Sequence, residues 1–176
     1  MNKVNKNNFG FTLIEVLIYL GLFGILFGGA VAAAFNVVET SGRNQTKAML
    51  QEEGNFLTEK INWTLSGAQS VSAPALGTAC ASPGCPLSVV KWNAPTINPV
   101  VIDIAGGDMT LSKGGNPPLI LNNSNISISN LSFTHNQDSG DGVNPESLQF
   151  SFIATARTSA GLSYSQTFFS TNYLRK

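Results

Sequence analysis

Glu15 is the single charged side chain between Gly10 and Val38, in the run GFTLIEVLIYLGLFGILFGGAVAAAFNVV. A charge inside the hydrocarbon of a membrane costs roughly 2.5–3.5 kcal/mol even on a lenient insertion scale, so an acid there is a functional candidate by default. The chemistry open to such a carboxylate is narrow, and pairing with a cation is the chief part of it. The preceding segment, MNKVNKNNFG, holds Lys3 and Lys6 and no acid, which keeps it on the cytoplasmic side of a membrane. A secretory signal would carry its small-residue cleavage site after an apolar stretch of roughly 7–15 residues. Here the run is longer and its distinctive small residue, Gly10, stands before it. Cutting after Gly10 leaves the apolar segment in the protein. It also creates a new amine on Phe11, about one helical turn from Glu15.

Gly10-Phe11-Thr12-Leu13-Ile14-Glu15 followed by an apolar helix resembles the prepilin motif of type IV pilins and type II secretion pseudopilins. The resemblance is specific over residues 1 to about 38 and is one of general shape beyond. It implies that a prepilin peptidase cuts between Gly10 and Phe11 and that Phe11 is N-methylated. It also implies that Glu15 is the filament-assembly carboxylate. The partners implied are other pilin or pseudopilin subunits, an inner-membrane assembly platform, and membrane lipid before assembly. Many major pilins have a proline in the span where this chain has Ala32, and many have a long C-terminal disulfide loop that this chain lacks. Both departures, with the ending from Phe168, resemble a minor subunit.

The other reactive side chains are few. Cys80 and Cys85 bracket Ala81-Ser82-Pro83-Gly84, a turn sequence. In a head outside the cytoplasm a small disulfide is expected, with two free thiols as the alternative. Two cysteines without a nearby histidine do not close a tetrahedral metal shell. His135 is the only histidine, which excludes a multi-histidine metal site, and it reads as the start of a polar loop. That loop, Asn136 to Ser147, holds Asp138, Asp141 and Glu146 at spacings that match no EF-hand. It reads as a solvated loop, with weak calcium binding as the alternative. No nucleophile elbow, phosphate loop or dinucleotide fingerprint is present, so neither an enzyme nor a cofactor is expected. Net charge is zero and only 11% of residues are charged, which argues against nucleic acid as a partner. Trp63 and Trp92 read as packing residues.

The elements that must position these groups follow from periodicity. Residues 11–38 are long enough for a membrane span, which needs about 20 apolar residues. Gly24 and Gly28 have the small-xxx-small spacing that permits close helix approach. From 39 to 65 the pattern turns amphipathic, with Met49, Leu50, Phe56, Leu57, Ile61 and Leu65 at three- and four-residue steps. This predicts the same helix continuing out of the membrane with one stripe on a head domain, weakened at Gly42 and Gly54. Ser66 to Pro86 reads as a connecting loop. Strands are predicted at 87–92, 100–104, 109–112, 119–121, 126–134, 148–157 and 162–174, with a bulge near Asn130 where the apolar alternation changes phase. The fold class is α+β, one long helix packed on an antiparallel sheet.

Four segments follow: a leader (1–10), a transmembrane and filament-core helix (11–38), its amphipathic continuation (39–65) and an extracytoplasmic β-rich head (66–176). The expected function is a structural subunit, a minor pilin or pseudopilin, that leaves the inner membrane for a filament. The alternatives are a major pilin, or an adhesion module displayed on such a helix.

Overall fold

The computed structural model describes residues 12–81, 84–137, 145–158 and 161–174. The chain divides into two compact units, the first ending at Gly42 and the second running Arg43–Lys176. One helix, α1 (Leu13–Leu65), is continuous through Gly42 and Gly54.

In the first unit α1 buries nothing. Of residues 12–45, none is buried and Glu15 is the least exposed. The helix contains an 18-residue window of mean hydropathy 2.3, none of it buried, so it is long and apolar enough to cross a membrane.

In the second unit the helix presents Leu50, Gly54, Leu57, Ile61, Thr64 and Leu65 to the core. Phe56 departs from the expected stripe: it is 40% exposed, with the Lys60 ammonium 5.1 Å from its ring centroid. The buried row runs 50, 54, 57, 61, and position 56 lies about 100° round the helix from 57.

Among the described residues nine strands follow: β1 (Ala68–Ala73), β2 (Ala79–Ala81), β3 (Leu87–Lys91), β4 (Val100–Ala105), β5 (Asp108–Lys113), β6 (Leu119–Ile120), β7 (Ile126–Asn136), β8 (Ser147–Arg157) and β9 (Ser163–Tyr173). They form two antiparallel sheets in place of the single one expected, in the orders β1-β3-β4-β5-β6 and β2-β7-β8-β9. The segment 66–86, expected as loop, supplies an edge strand to each. Its small Ala and Ser side chains give almost no hydropathy alternation, and β1 pairs with β3 through two register shifts. The β4–β5 hairpin turns on Gly106 and Gly107, with φ of 65° and 92°, which a two-residue turn of the primed type demands.

The second unit's core joins the helix row to both sheets, through Leu87, Val89, Val100, Ile102 and Met109 on one and Ile126, Ile128, Leu131, Phe133, Phe150 and Phe152 on the other. The phase change in β7 is a bulge. Ser129 faces Ile153 and Ser132 faces Ser151, so one extra residue is inserted, and Asn130 sits at φ 53°. The buried amide of Asn122 ties the sheets together, accepting from Met109 N at 2.7 Å and donating to Ile126 O at 2.7 Å.

Candidate functional site

Thr12 stands at the N-cap of α1. Its carbonyl accepts from the Glu15 and Val16 amides at 3.1 and 3.2 Å, and its hydroxyl oxygen lies 3.4 Å from the Glu15 amide. Glu15 is therefore the third residue of the helix, where an acid also complements the positive end of the backbone dipole. Thr12-Leu13-Ile14-Glu15 has the spacing of a capping box, a structural role that the sequence reading did not weigh. The Tyr19 hydroxyl donates to Glu15 Oε1 at 3.5 Å, one turn further along. Gly10 and Phe11 lie outside the described residues, so the distance from the expected cleavage point to the carboxylate is not defined.

Around this end the helix is a bare apolar rod. Ile14, Leu17, Ile18, Leu20 and Phe23 are all more than half exposed. A Cβ at Gly21, Gly24, Gly28 or Gly29 would meet nothing within 4 Å. An apolar surface this continuous needs lipid or neighbouring helices to cover it.

The head holds three further polar arrangements. Cys80 and Cys85 form a disulfide with their Cα atoms 5.6 Å apart, pinning β2 to the start of β3. Ser82 and Pro83, within that turn, are outside the described residues.

His135 is not on a loop, as its polar sequence context suggested. It is the last inward-facing residue of β7, 3% exposed, with Nδ1 3.0 Å from Pro74 O and Nε2 3.0 Å from Glu146 Oε1. Both partners accept when Glu146 is ionised, so the arrangement is complete when both ring nitrogens carry hydrogen. Glu146 is thus engaged with the histidine, while Asp138 and Asp141 fall outside the described residues. Among the described residues no three His, Cys, Asp or Glu side chains are grouped to hold a metal ion.

The two tryptophans are surface residues and not core: Trp63 is 41% and Trp92 is 71% exposed. The Lys91 ammonium sits 3.9 Å from the Trp63 ring centroid and donates to the Trp63 and Ser66 carbonyls at 2.6 and 3.0 Å. It therefore caps the carbonyl end of α1, which has no basic residue in its own last turn. The Lys113 ammonium stands 4.7 Å from the same ring. Partial burial, and then the charge of Lys113, lower the Lys91 pKa from its ordinary 10.5.

Of the residues singled out in sequence, the structure brings together Cys80 with Cys85 and His135 with Glu146. Thr12, Tyr19 and Lys91 were missed. The T-x-x-E spacing carried a signal for the first, and the polar residue four places after Glu15 for the second. Lys91 carried none, because its partners are backbone carbonyls distant in sequence.

No curated protein and no solved structure matches the chain. Residues 5–31 match a family model described as the prokaryotic N-terminal methylation motif. That match, with the apolar helix and the antiparallel sheets behind it, supports placing the chain among the type IV pilin- and pseudopilin-like proteins.

Proposed function

We propose that the chain is a structural subunit, a minor pilin or pseudopilin, of a type IV pilus or type II secretion-like filament. Prepilin peptidase cuts between Gly10 and Phe11 and methylates Phe11. The segment from Phe11 to about Val38 first spans the inner membrane with the head from residue 66 outside the cytoplasm, and 39–65 carries it outward. An assembly platform then lifts the subunit into the filament beside other subunits.

The observation that carries this reading is a lone carboxylate in the first turn of a helix whose apolar N-terminal stretch is unburied, inside a methylation-motif match. A charge waiting in lipid is stabilised when an incoming subunit's Phe11 amine meets it. Opposite charges attract far more strongly in a low-dielectric core than in water, and each offsets the other's desolvation. Only one stagger of two helices brings them together, so the pair also sets register. Ala32 in place of a proline supports the minor assignment.

Mass spectrometry of the mature chain tests the reading. An N-terminal methyl-Phe at residue 11 is expected. A chain still starting at Met1, or released by a cut beyond the apolar run, overturns it. A dominant band of this chain in sheared filaments overturns the minor assignment alone.

A further inference from the structure

Between Leu13 and Phe35 only two side chains carry a polar hydrogen-bonding atom: Glu15 and Tyr19. They are four residues apart, the spacing that stacks side chains on one face of a helix. Their side chains meet, the phenol O–H donating to Glu15 Oε1 at 3.5 Å, the long end of the hydrogen-bond range. Glu15 is also the least exposed residue in 12–45.

We propose that Tyr19 is a positioning residue for Glu15, a second half of the joint that receives the neighbouring subunit's terminal amine. The inference rests on Glu15 being the assembly carboxylate. In the hydrocarbon layer no water is at hand to solvate an acid, and every polar group must find its partner inside the protein. The Tyr19 hydroxyl is the one side chain along this stretch that supplies a donor. Its hydrogen bond holds the Glu15 carboxylate on the Tyr19 side of the helix, so the acid waits there in place of sweeping through its rotamers. A phenol is both donor and acceptor. While the phenol hydrogen is given to Oε1, Oε2 is the carboxylate oxygen left to accept from the N–H groups of an arriving amine. A carboxylate alone offers a point charge, whereas the carboxylate–phenol pair offers a directed site that favours one approach of the incoming helix.

The test uses the full chain in its own membrane. Tyr19→Phe keeps the ring and removes the hydroxyl, and Glu15→Gln removes the charge. Leader cleavage, read by mass spectrometry of the N-terminus, is expected to be unchanged in both, showing normal insertion. Incorporation of Tyr19→Phe into sheared filaments is expected to fall on the order of tenfold, the loss of one hydrogen bond to a charged group. The carboxylate infrared band of Glu15 in lipid bilayers, isolated by subtracting the Glu15→Gln spectrum, is expected to shift in Tyr19→Phe. Adding Ile18→Tyr to Tyr19→Phe returns a hydroxyl on the opposite flank of Glu15, about 100° round the helix from position 19, and adding Leu17→Tyr returns one further round; neither is expected to restore incorporation. Normal incorporation of Tyr19→Phe, an unmoved Glu15 band, or rescue by Ile18→Tyr or Leu17→Tyr each overturns the proposal. If Glu15→Gln itself enters filaments normally, the assembly reading fails instead; if Glu15→Gln is blocked while Tyr19→Phe is not, only Tyr19's role fails.

Discussion

At the scale of single residues, the surface of the head is governed by who supplies the missing partner of a backbone end. The last carbonyls of α1 face Lys91, whose ammonium also lies over Trp63, and Lys113 crowds the same ring. Partial burial removes part of the water that would solvate the Lys91 ammonium, and the Lys113 ammonium at the same ring repels it. Both effects disfavour the charged form, so the folded pKa of Lys91 lies below 10.5. The folded chain therefore binds the proton less tightly than the unfolded one. Stability from this group is therefore whole above pH 10.5 and lost as pH falls through the depressed folded value. Lys113→Gln removes the second of the two causes. It is expected to move the Lys91 titration, followed by the NMR shift of its Cε, upward toward the ordinary value. It should also flatten the alkaline rise in stability between the two pKa values. An unmoved titration means the two ammonium groups do not interact. His135 shows the same economy in the interior, where one imidazole joins β7 to the carbonyl before β2 and to the carboxylate before β8.

At the scale of elements, the helix and the second sheet meet through a glycine. A Cβ built on Gly54 would fall inside the Phe168 ring, which is itself stacked on Phe152 with centroids 5.3 Å apart. In a helix interior Ala outranks Gly by about 1 kcal/mol, so propensity alone makes Gly54→Ala stabilising. Overpacking a filled core costs about 1–3 kcal/mol, and here the obstacle is a ring held between two elements, so packing wins. Gly54→Ala is expected to lower the stability of the head by about 1–2 kcal/mol, measured by denaturation of the detergent-solubilised chain with near-ultraviolet circular dichroism. Adding Phe168→Leu, which empties that space, is expected to remove most of the penalty. A stabilised single variant refutes the contact. The amphipathic period of 39–65 and the alternation within β7 made these elements readable in the sequence, as the turn residues between them did β8 and β9, and the phase slip at Asn130 made its bulge readable too. The role of Gly54 was not readable, since a glycine in a helix looks the same in sequence whether it is a weak point or a seat for a ring 114 residues away. β1 and β2 stayed hidden for the related reason that short Ala and Ser strands are defined by what they pair with.

At the scale of the whole molecule, the chain joins two kinds of surface that need different company. Residues 13–42 bury nothing on their own and depend on lipid or on other helices. Residues from Arg43 onward form a closed core in which α1 contributes Leu50, Leu57, Ile61 and Leu65, each nearly or fully buried. The methylation motif was legible because it lies in a contiguous string whose charge contradicts its surroundings. The division of labour within α1 was legible only in outline, since hydropathy marks where the apolar run ends and not which residues the head requires. The structure sets that requirement at the last four turns or so of the helix, which fill the space against both sheets. A chain beginning at Arg43 and exported behind a cleavable signal is therefore expected to fold, with the Cys80–Cys85 bond formed and sharp near-ultraviolet and NMR signatures. It should remain outside filaments, having lost Glu15 and the apolar helix. A chain beginning at Gly67 lacks four core side chains worth about 1.5–3 kcal/mol each when buried. It also exposes the apolar sheet faces they cover, against a typical total stability of only about 5–15 kcal/mol. It is expected to be molten or aggregated by the same measurements. Equal folding of the two chains would mean that the sheets sustain their own core and that α1 is merely attached to it, whereas entry of the shorter-helix chain into filaments would detach assembly from the membrane segment altogether.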